Sequence, residues 1–268
     1  MAKVIELNYS STNTYLIEGS IGTILFDTGW AGTFTSFCGL MGKLSRKVKD
    51  IDYILISHFH PDHMGIAQEI ANLKPVIVVM EVQQPFIHAS DDIFTKDKQT
   101  TFYPIEDGKV KVVACRESRQ FLQKLGIAGE ILHTPGHSED SITLCLDDGK
   151  MFVGDLNPLY ELEMHRGTEI ERSWKKLLKL KADTIYYGHA KTAVIAHKEG
   201  KAKGQKNTQL HTLVSRIIKY IDKGYPVEKI EKKTGADRMF IEDVNRMYLT
   251  HQNVGVQGIL DRIEIKGK

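Results

Sequence analysis

Three histidines and one carboxylate fall within the six residues His58-Phe59-His60-Pro61-Asp62-His63, directly after an apolar run at 51–56. That run, Ile51-Asp52-Tyr53-Ile54-Leu55-Ile56, reads as a buried strand, and donors crowded at its end are placed for metal binding. In extended backbone, residues i and i+2 point to the same side, so His58 and His60 can hold one ion together. Pro61 suits the first turn of a helix, where its missing N–H is not needed. That turn brings Asp62 and His63 towards the same spot from another side. Two pairs of donors imply room for two ions.

The surrounding pattern is that of a mixed α/β chain. Short strands are expected at 4–7, 14–18 and 23–26, the third ending on Asp27-Thr28-Gly29. A helix follows over 33–44, weakened by Gly39 and Gly42. The strand at 51–56, a helix from Gly65 to Leu73 with Ile66, Ile70 and Leu73 at helical spacing, and the run at 76–80 suggest a βαβ unit. Residues 82–109 are expected to hold a helix near 82–89 and then a long, mobile connection, a length often used for binding. Strands return at 110–113, 130–133, 142–146 and 151–153, with the hairpin signal Asp147-Asp148-Gly149 between the last two. A helix at 168–181 and a strand at 184–187 follow. The Lys- and Gly-rich stretch 198–206 reads as a linker, followed by helices at 207–223, 226–234 and 238–251 and a strand near 259–265. The expected organisation is a domain at 1–200 and a helical extension at 201–268.

Three more polar residues stand at the C-terminal ends of apolar strands, each directly after a glycine: Gly136-His137, Gly154-Asp155 and Gly188-His189. Glycine there lets the backbone turn sharply and come close to whatever the donor holds. Donors that are all nitrogen and oxygen suit zinc, manganese or iron. Two such ions ~3.5–4 Å apart share one water and lower its pKa from about 15.7 towards roughly 7, giving a hydroxide nucleophile at neutral pH.

His58-x-His60-x-Asp62-His63, then His137, Asp155 and His189 in that order, preceded by Asp27-Thr28-Gly29, resembles the metallo-β-lactamase-fold hydrolase superfamily over residues 23–189. The resemblance implies an αββα sandwich with two divalent metal ions, zinc first and iron or manganese as alternatives, at the edge where the sheets meet. It implies His58, His60 and His137 around one ion, Asp62, His63 and His189 around the other, and Asp155 bridging them. Asp62 and Asp155 thereby become the carboxylates of catalysis, and Asp27 matches a position that supports the ligands from behind by fixing an imidazole tautomer. In redox di-iron members the second histidine of the motif is typically a glutamate, where this chain has His60. The commonest true β-lactamases use a cysteine at the place of Asp155 and lack the carboxylate of Asp62. The large inserted domain of the RNA-processing nucleases is also missing. These departures point to the glyoxalase II, lactonase and phosphodiesterase branches: a bridging hydroxide cleaving an ester, thioester or lactone carbonyl of a small-molecule substrate, with a phosphodiesterase as the alternative.

The other histidines, His88, His133, His165, His197, His211 and His251, read as surface or structural residues, with His133 a minor candidate for ligand support. Tyr160 is a candidate proton donor or carbonyl clamp, as is, less strongly, His165, although an aromatic packing its loop explains Tyr160 equally well.

A formal net charge of +2 is too mild to argue for nucleic acid as a partner. Cys38, Cys115 and Cys145 are odd in number and never form a CxxC pair, so they read as reduced core thiols. No long uncharged run suits a bilayer and the N-terminus lacks the pattern of a signal peptide, so the expectation is a cytoplasmic protein with no membrane contact. Residues 226–244 have the look of a helix-turn-helix, with Ile230, Gly235 and Ile241 where such a unit packs and turns. Asp237, Glu242 and Asp243 on its second helix are poor chemistry for phosphates. A cap near the active site or an oligomerisation element, for instance in a homodimer, fits that composition better. A metal-holding sensor that uses this tail is the reading outside the enzymes.

Overall fold

Strand residues that alternate in direction can bury both faces of a sheet, and the first sheet does so. Strands β1 (Lys3–Leu7), β2 (Thr14–Glu18), β3 (Thr23–Phe26), β4 (Tyr53–Leu55), β5 (Val76–Met80) and β6 (Lys111–Val113) form it in that spatial order in the computed structural model, which describes residues 1–96, 100–195 and 208–250. The first three run antiparallel and β3 to β6 run parallel, so β4 and β5 are joined by the expected βαβ crossover. Leu16, Leu25, Ile54, Ile77 and Val79 point to one face, where they pack with Phe37 and Met41 of α1 (Phe34–Lys43) and Ala67 and Ile70 of the crossover. Ile17, Ile24, Phe26, Leu55, Val78 and Met80 point to the other.

That second face packs on the second sheet. Strands β7 (Gly129–His133), β8 (Ile142–Leu146), β9 (Lys150–Phe152), β10 (Thr184–Tyr186) and β11 (Ala193–Val194) lie in the order β11-β10-β9-β8-β7. Ile131, Ile142, Leu144, Leu146 and Phe152 complete the shared core. Phe152 sits at its centre, 5.2 Å from Tyr15, 5.6 Å from Phe26 and 4.7 Å from Tyr186 between ring centroids. With helices added, this is the αββα sandwich that the resemblance implies.

The crossover after β4 holds α2 (Pro61–Met64) and α3 (Ala67–Ala71) in place of one helix. Helix α1 forms despite Gly39 and Gly42, because Phe37 and Met41 bury its apolar side and tertiary packing outweighs propensity. Residues 82–109 differ from the expectation. Pro85 lacks a donor N–H, and the segment Glu81–Phe86 is a 3₁₀ turn rather than an α-helix. Helix α4 (Asp91–Lys96) follows, and Ile87, Phe94 and Ile105 are buried, so this stretch packs on the core. His88 clips it together: one ring nitrogen lies 2.8 Å from Asp91 and the other 2.9 Å from Asp107. Helix α5 (Ser118–Gln123), not expected from the sequence, is held by Phe121 and Leu122 in the inter-sheet core. Helix α6 (Glu169–Leu177) is shorter than expected and ends in a 3₁₀ turn over Leu178–Leu180.

The chain divides into two compact units, Met1–Asn157 with Gly167–Ile195 and Pro158–Arg166 with Ala196–Lys268. In the second, α7 (Thr208–Asp222), α8 (Val227–Thr234) and α9 (Arg238–Thr250) surround Val214, Ile217, Ile230, Ile241 and Val244. Gly235 ends α8 at φ +70°, a left-handed cap suited to glycine. Asp237 precedes α9 instead of riding on it. The expected linker at 198–206, the strand near 259–265, His197 and His251 lie outside the described residues. Among the described residues, no helix is long and apolar enough to cross a membrane.

Two outcomes follow for stability. Phe152→Ala removes the ring at the centre of the inter-sheet core, and denaturant unfolding should show a loss of about 3–5 kcal/mol. Hydrogen bonds donated to Asp107 and Asp91 raise the pKa of His88 above the ordinary histidine value of 6.5. The clip's contribution is therefore fully present below that value and disappears as pH rises through the raised pKa; a His88→Gln variant should show no such step when unfolding is followed across pH.

Candidate metal centre

The loop after β4 has the predicted geometry. His60 is extended at φ −75° and ψ 153°, Pro61 occupies the first turn of α2, and the N–H of His63 donates to the carbonyl of His60 at 3.0 Å. Strands β7, β9 and β10 deliver His137, Asp155 and His189 to the same edge of the sandwich. Ligand-capable atoms converge there in three overlapping groups, each within 4.8 Å: His58, His60 and His137; His58, His63 and Asp155; Asp62, His63 and His189. All seven sequence candidates meet. Tyr160 lies in the 3₁₀ turn Leu159–His165, and its side chain is outside those described.

Asp155 lies between the groups. Its Oδ1 is 3.3 Å from Nε2 of His63, and its Oδ2 is 3.6 Å from Nε2 of His137 and 3.5 Å from Nε2 of His189. Nε2 of His58, Nε2 of His63 and Oδ1 of Asp155 are buried and have no hydrogen-bond partner. Buried polar atoms are almost always partnered, so three orphans facing one point fit a cation held among them. The site has a closed floor and an open side: His58 and His63 are fully buried, while the side chains of His137, Asp62 and His189 are 30%, 29% and 29% exposed.

Electrostatics follow that division. Burial disfavours charge throughout the site and holds the imidazoles of His58 and His137 below the ordinary histidine range. At His63 and His189 burial is outweighed by carboxylates, Asp155 and Asp27 beside the first and Asp155 and Asp62 beside the second, so both are raised. For Asp155 burial is overcome by His63 and His189, which keep it well below the carboxylate range.

Asp27 stands behind the donors. Its Oδ2 accepts from Nδ1 of His63 at 2.8 Å, and its Oδ1 accepts from the backbone N–H of Ser57 at 2.7 Å. Sequence reasoning missed three further supports. Ser57 joins Asp27 to His58; Asp140 accepts from the N–H of Phe59 at 2.7 Å; and the amide of Gln83, fully buried, donates to the carbonyls of Ile56 and Asp140 at 3.0 and 3.2 Å. Asp140 carried a weak signal as a carboxylate three residues after His137. Gln83 carried none, since its partners come from other elements. His133 closes its own loop, 2.7 Å from the carbonyl of Glu139, and supports no ligand.

The glycines before the donors are required by contact. A Cβ on Gly188 would lie 2.5 Å from Oδ1 of Asp155 and 2.7 Å from Cε1 of His63, and one on Gly154, at φ +56°, would lie 2.6 Å from Cβ and Oγ of Ser57.

Residues 7–189 match the family profile of the metallo-β-lactamase superfamily, and the chain belongs to that family. It is 27% identical over 190 residues to beta-lactamase-like protein 2 homolog of Drosophila melanogaster, covering 68% of this chain and 60% of the relative, so it spans less than two thirds of that protein. It is 24% identical over 252 residues to atrochrysone carboxyl ACP thioesterase of Claviceps purpurea, covering 87% of this chain and 70% of the relative. The fold is similar to that of TTHA1623, solved in a di-iron-bound form, with 20% identity, 72% of this chain and 94% of that one covered, and a TM-score of 0.53.

Gly188→Ala should lower the affinity for divalent ions at least ~10-fold, the scale seen when the supports of metal ligands are disturbed, as measured by competition with a chromophoric chelator.

Proposed function

We propose that the protein is a dinuclear metal-dependent hydrolase that cleaves an acyl ester, thioester or lactone. The observation that carries this reading is the position of Asp155, with one carboxylate oxygen towards His63 and the other towards His137 and His189. A carboxylate so placed suits a bridge between two ions. His58, His60 and His137 would hold one and Asp62, His63 and His189 the other. Nitrogen and oxygen donors favour zinc, with iron or manganese as alternatives. When bound, such ions supply a Lewis acid for a carbonyl oxygen and a water of lowered pKa.

The residues of the chain do the remaining work. His58 and His63, buried and braced from behind, set the floor of the site, and the exposed sides of His137, Asp62 and His189 leave room for substrate. Nε2 of His189 lies 2.7 Å from Oδ2 of Asp62, so the two donors face one point on that open side. The low pKa of Asp155 keeps it ionised at neutral pH, as a bridging ligand must be. The carbon-centred substrate class is supported by the similarity to an ACP thioesterase over 87% of the chain.

Elemental analysis should find about two divalent ions per chain. Chelation should abolish turnover of a thioester and lactone panel, zinc should restore it, and Asp155→Ala should lower kcat by at least ~10²-fold through loss of electrostatic stabilisation. Turnover confined to bis(p-nitrophenyl) phosphate would replace this reading with a phosphodiesterase.

A further inference from the structure

Ser57 touches Asp27, His58 and His63 at once. Its N–H donates to Oδ1 of Asp27 at 2.7 Å, its hydroxyl lies 2.9 Å from Oδ2 of Asp27, 3.0 Å from Nδ1 of His58 and 3.3 Å from Nδ1 of His63, and its carbonyl accepts from the N–H of Ile142 in the second sheet at 2.9 Å. Gly154 packs so closely on it that no Cβ fits between them.

The donor count leaves one consistent arrangement. An ionised carboxylate only accepts, so the Ser57 hydroxyl donates its single proton to Asp27. Its oxygen is then free to accept, and Nδ1 of His58 must donate to it. Nδ1 of His63 likewise donates to Asp27 at 2.8 Å. With Nδ1 committed as a donor, Nε2 is the nitrogen that each imidazole offers to an ion, and both of these Nε2 atoms are buried without a hydrogen-bond partner.

We propose that Ser57 is a positioning residue that lets the single carboxylate of Asp27 orient one histidine of each ion group: His63 directly and His58 through the serine hydroxyl. The proposal rests on the dinuclear reading above. It carries an asymmetry. His63 loses only the longer of its two contacts, 3.3 Å to the hydroxyl, and keeps the 2.8 Å bond to Asp27, whereas Nδ1 of His58 has no other hydrogen bond among the described residues. Loss of the hydroxyl therefore loosens the ion at His58, His60 and His137 and spares the ion at Asp62, His63 and His189.

The test is stepwise metal binding to the full chain, by chelator competition with zinc and by the absorption spectrum of the cobalt-loaded protein, for wild type, Ser57→Ala and Ser57→Thr. Ser57→Ala should bind one ion as the wild type does and the other ~10–100-fold more weakly, with a changed cobalt spectrum for that ion alone. Ser57→Thr, which keeps the hydroxyl, should restore both. Unchanged affinity for both ions in Ser57→Ala overturns the proposal. So does equal weakening of both, or a selective loss that threonine does not restore, since either makes the role one of packing; the unfolding midpoint of each metal-free variant shows how far packing has changed. A wild-type chain that binds fewer than two ions overturns the dinuclear reading as well, and is recognised before any variant is made.

Discussion

A buried carboxylate needs partners, and the edge of this sandwich is arranged around those of Asp27. The residue is fully buried and sits at φ +61°, in a left-handed conformation that costs a non-glycine residue about 1–3 kcal/mol. Its N–H donates to the carbonyl of Leu55 at 3.0 Å, and its side chain receives the N–H and hydroxyl of Ser57 and the ring of His63. The strained turn thus points a charge from the end of β3 into the loop after β4. Without those bonds the strain and the buried charge would both be uncompensated.

Links of the same kind join the two sheets. Asp140 accepts from Phe59, Gln83 bridges the carbonyls of Ile56 and Asp140, and the N–H of Ile142 donates to Ser57. Four strand ends from two sheets therefore deliver donors to one place through polar contacts that lie within the protein. Close glycine contacts at 154 and 188 let the backbones of β9 and β10 approach near enough for Asp155 to reach both histidine groups.

The seven candidate donors were legible because each is local: a histidine or aspartate at the end of an apolar run, ten of the eleven described strands being expected from short apolar segments. The sandwich was legible only through the resemblance that the motif carries, since the order of strands and helices by itself gave no more than a mixed α/β chain with a βαβ unit. Helix α5 and the 3₁₀ turn at Glu81–Phe86 were not, since the first depends on burial of Phe121 and Leu122 between the sheets and the second on Pro85 within a segment of helical composition. Ser57, Gln83 and Asp140 escaped for a related reason. Each role includes a hydrogen bond to a residue 27 to 81 positions away, and no spacing rule reports such a pair.

His58-Phe59-His60-Pro61-Asp62-His63, read alone, determined that the chain places nitrogen and oxygen donors at a strand end, because extended backbone and a proline-started turn fix where those side chains point. Tertiary structure alone decided which donors are buried, which face solvent, and how they are braced. Those properties depend on two sheets meeting at one edge, where desolvation removes water as a hydrogen-bond partner and leaves each polar atom to find another within the fold.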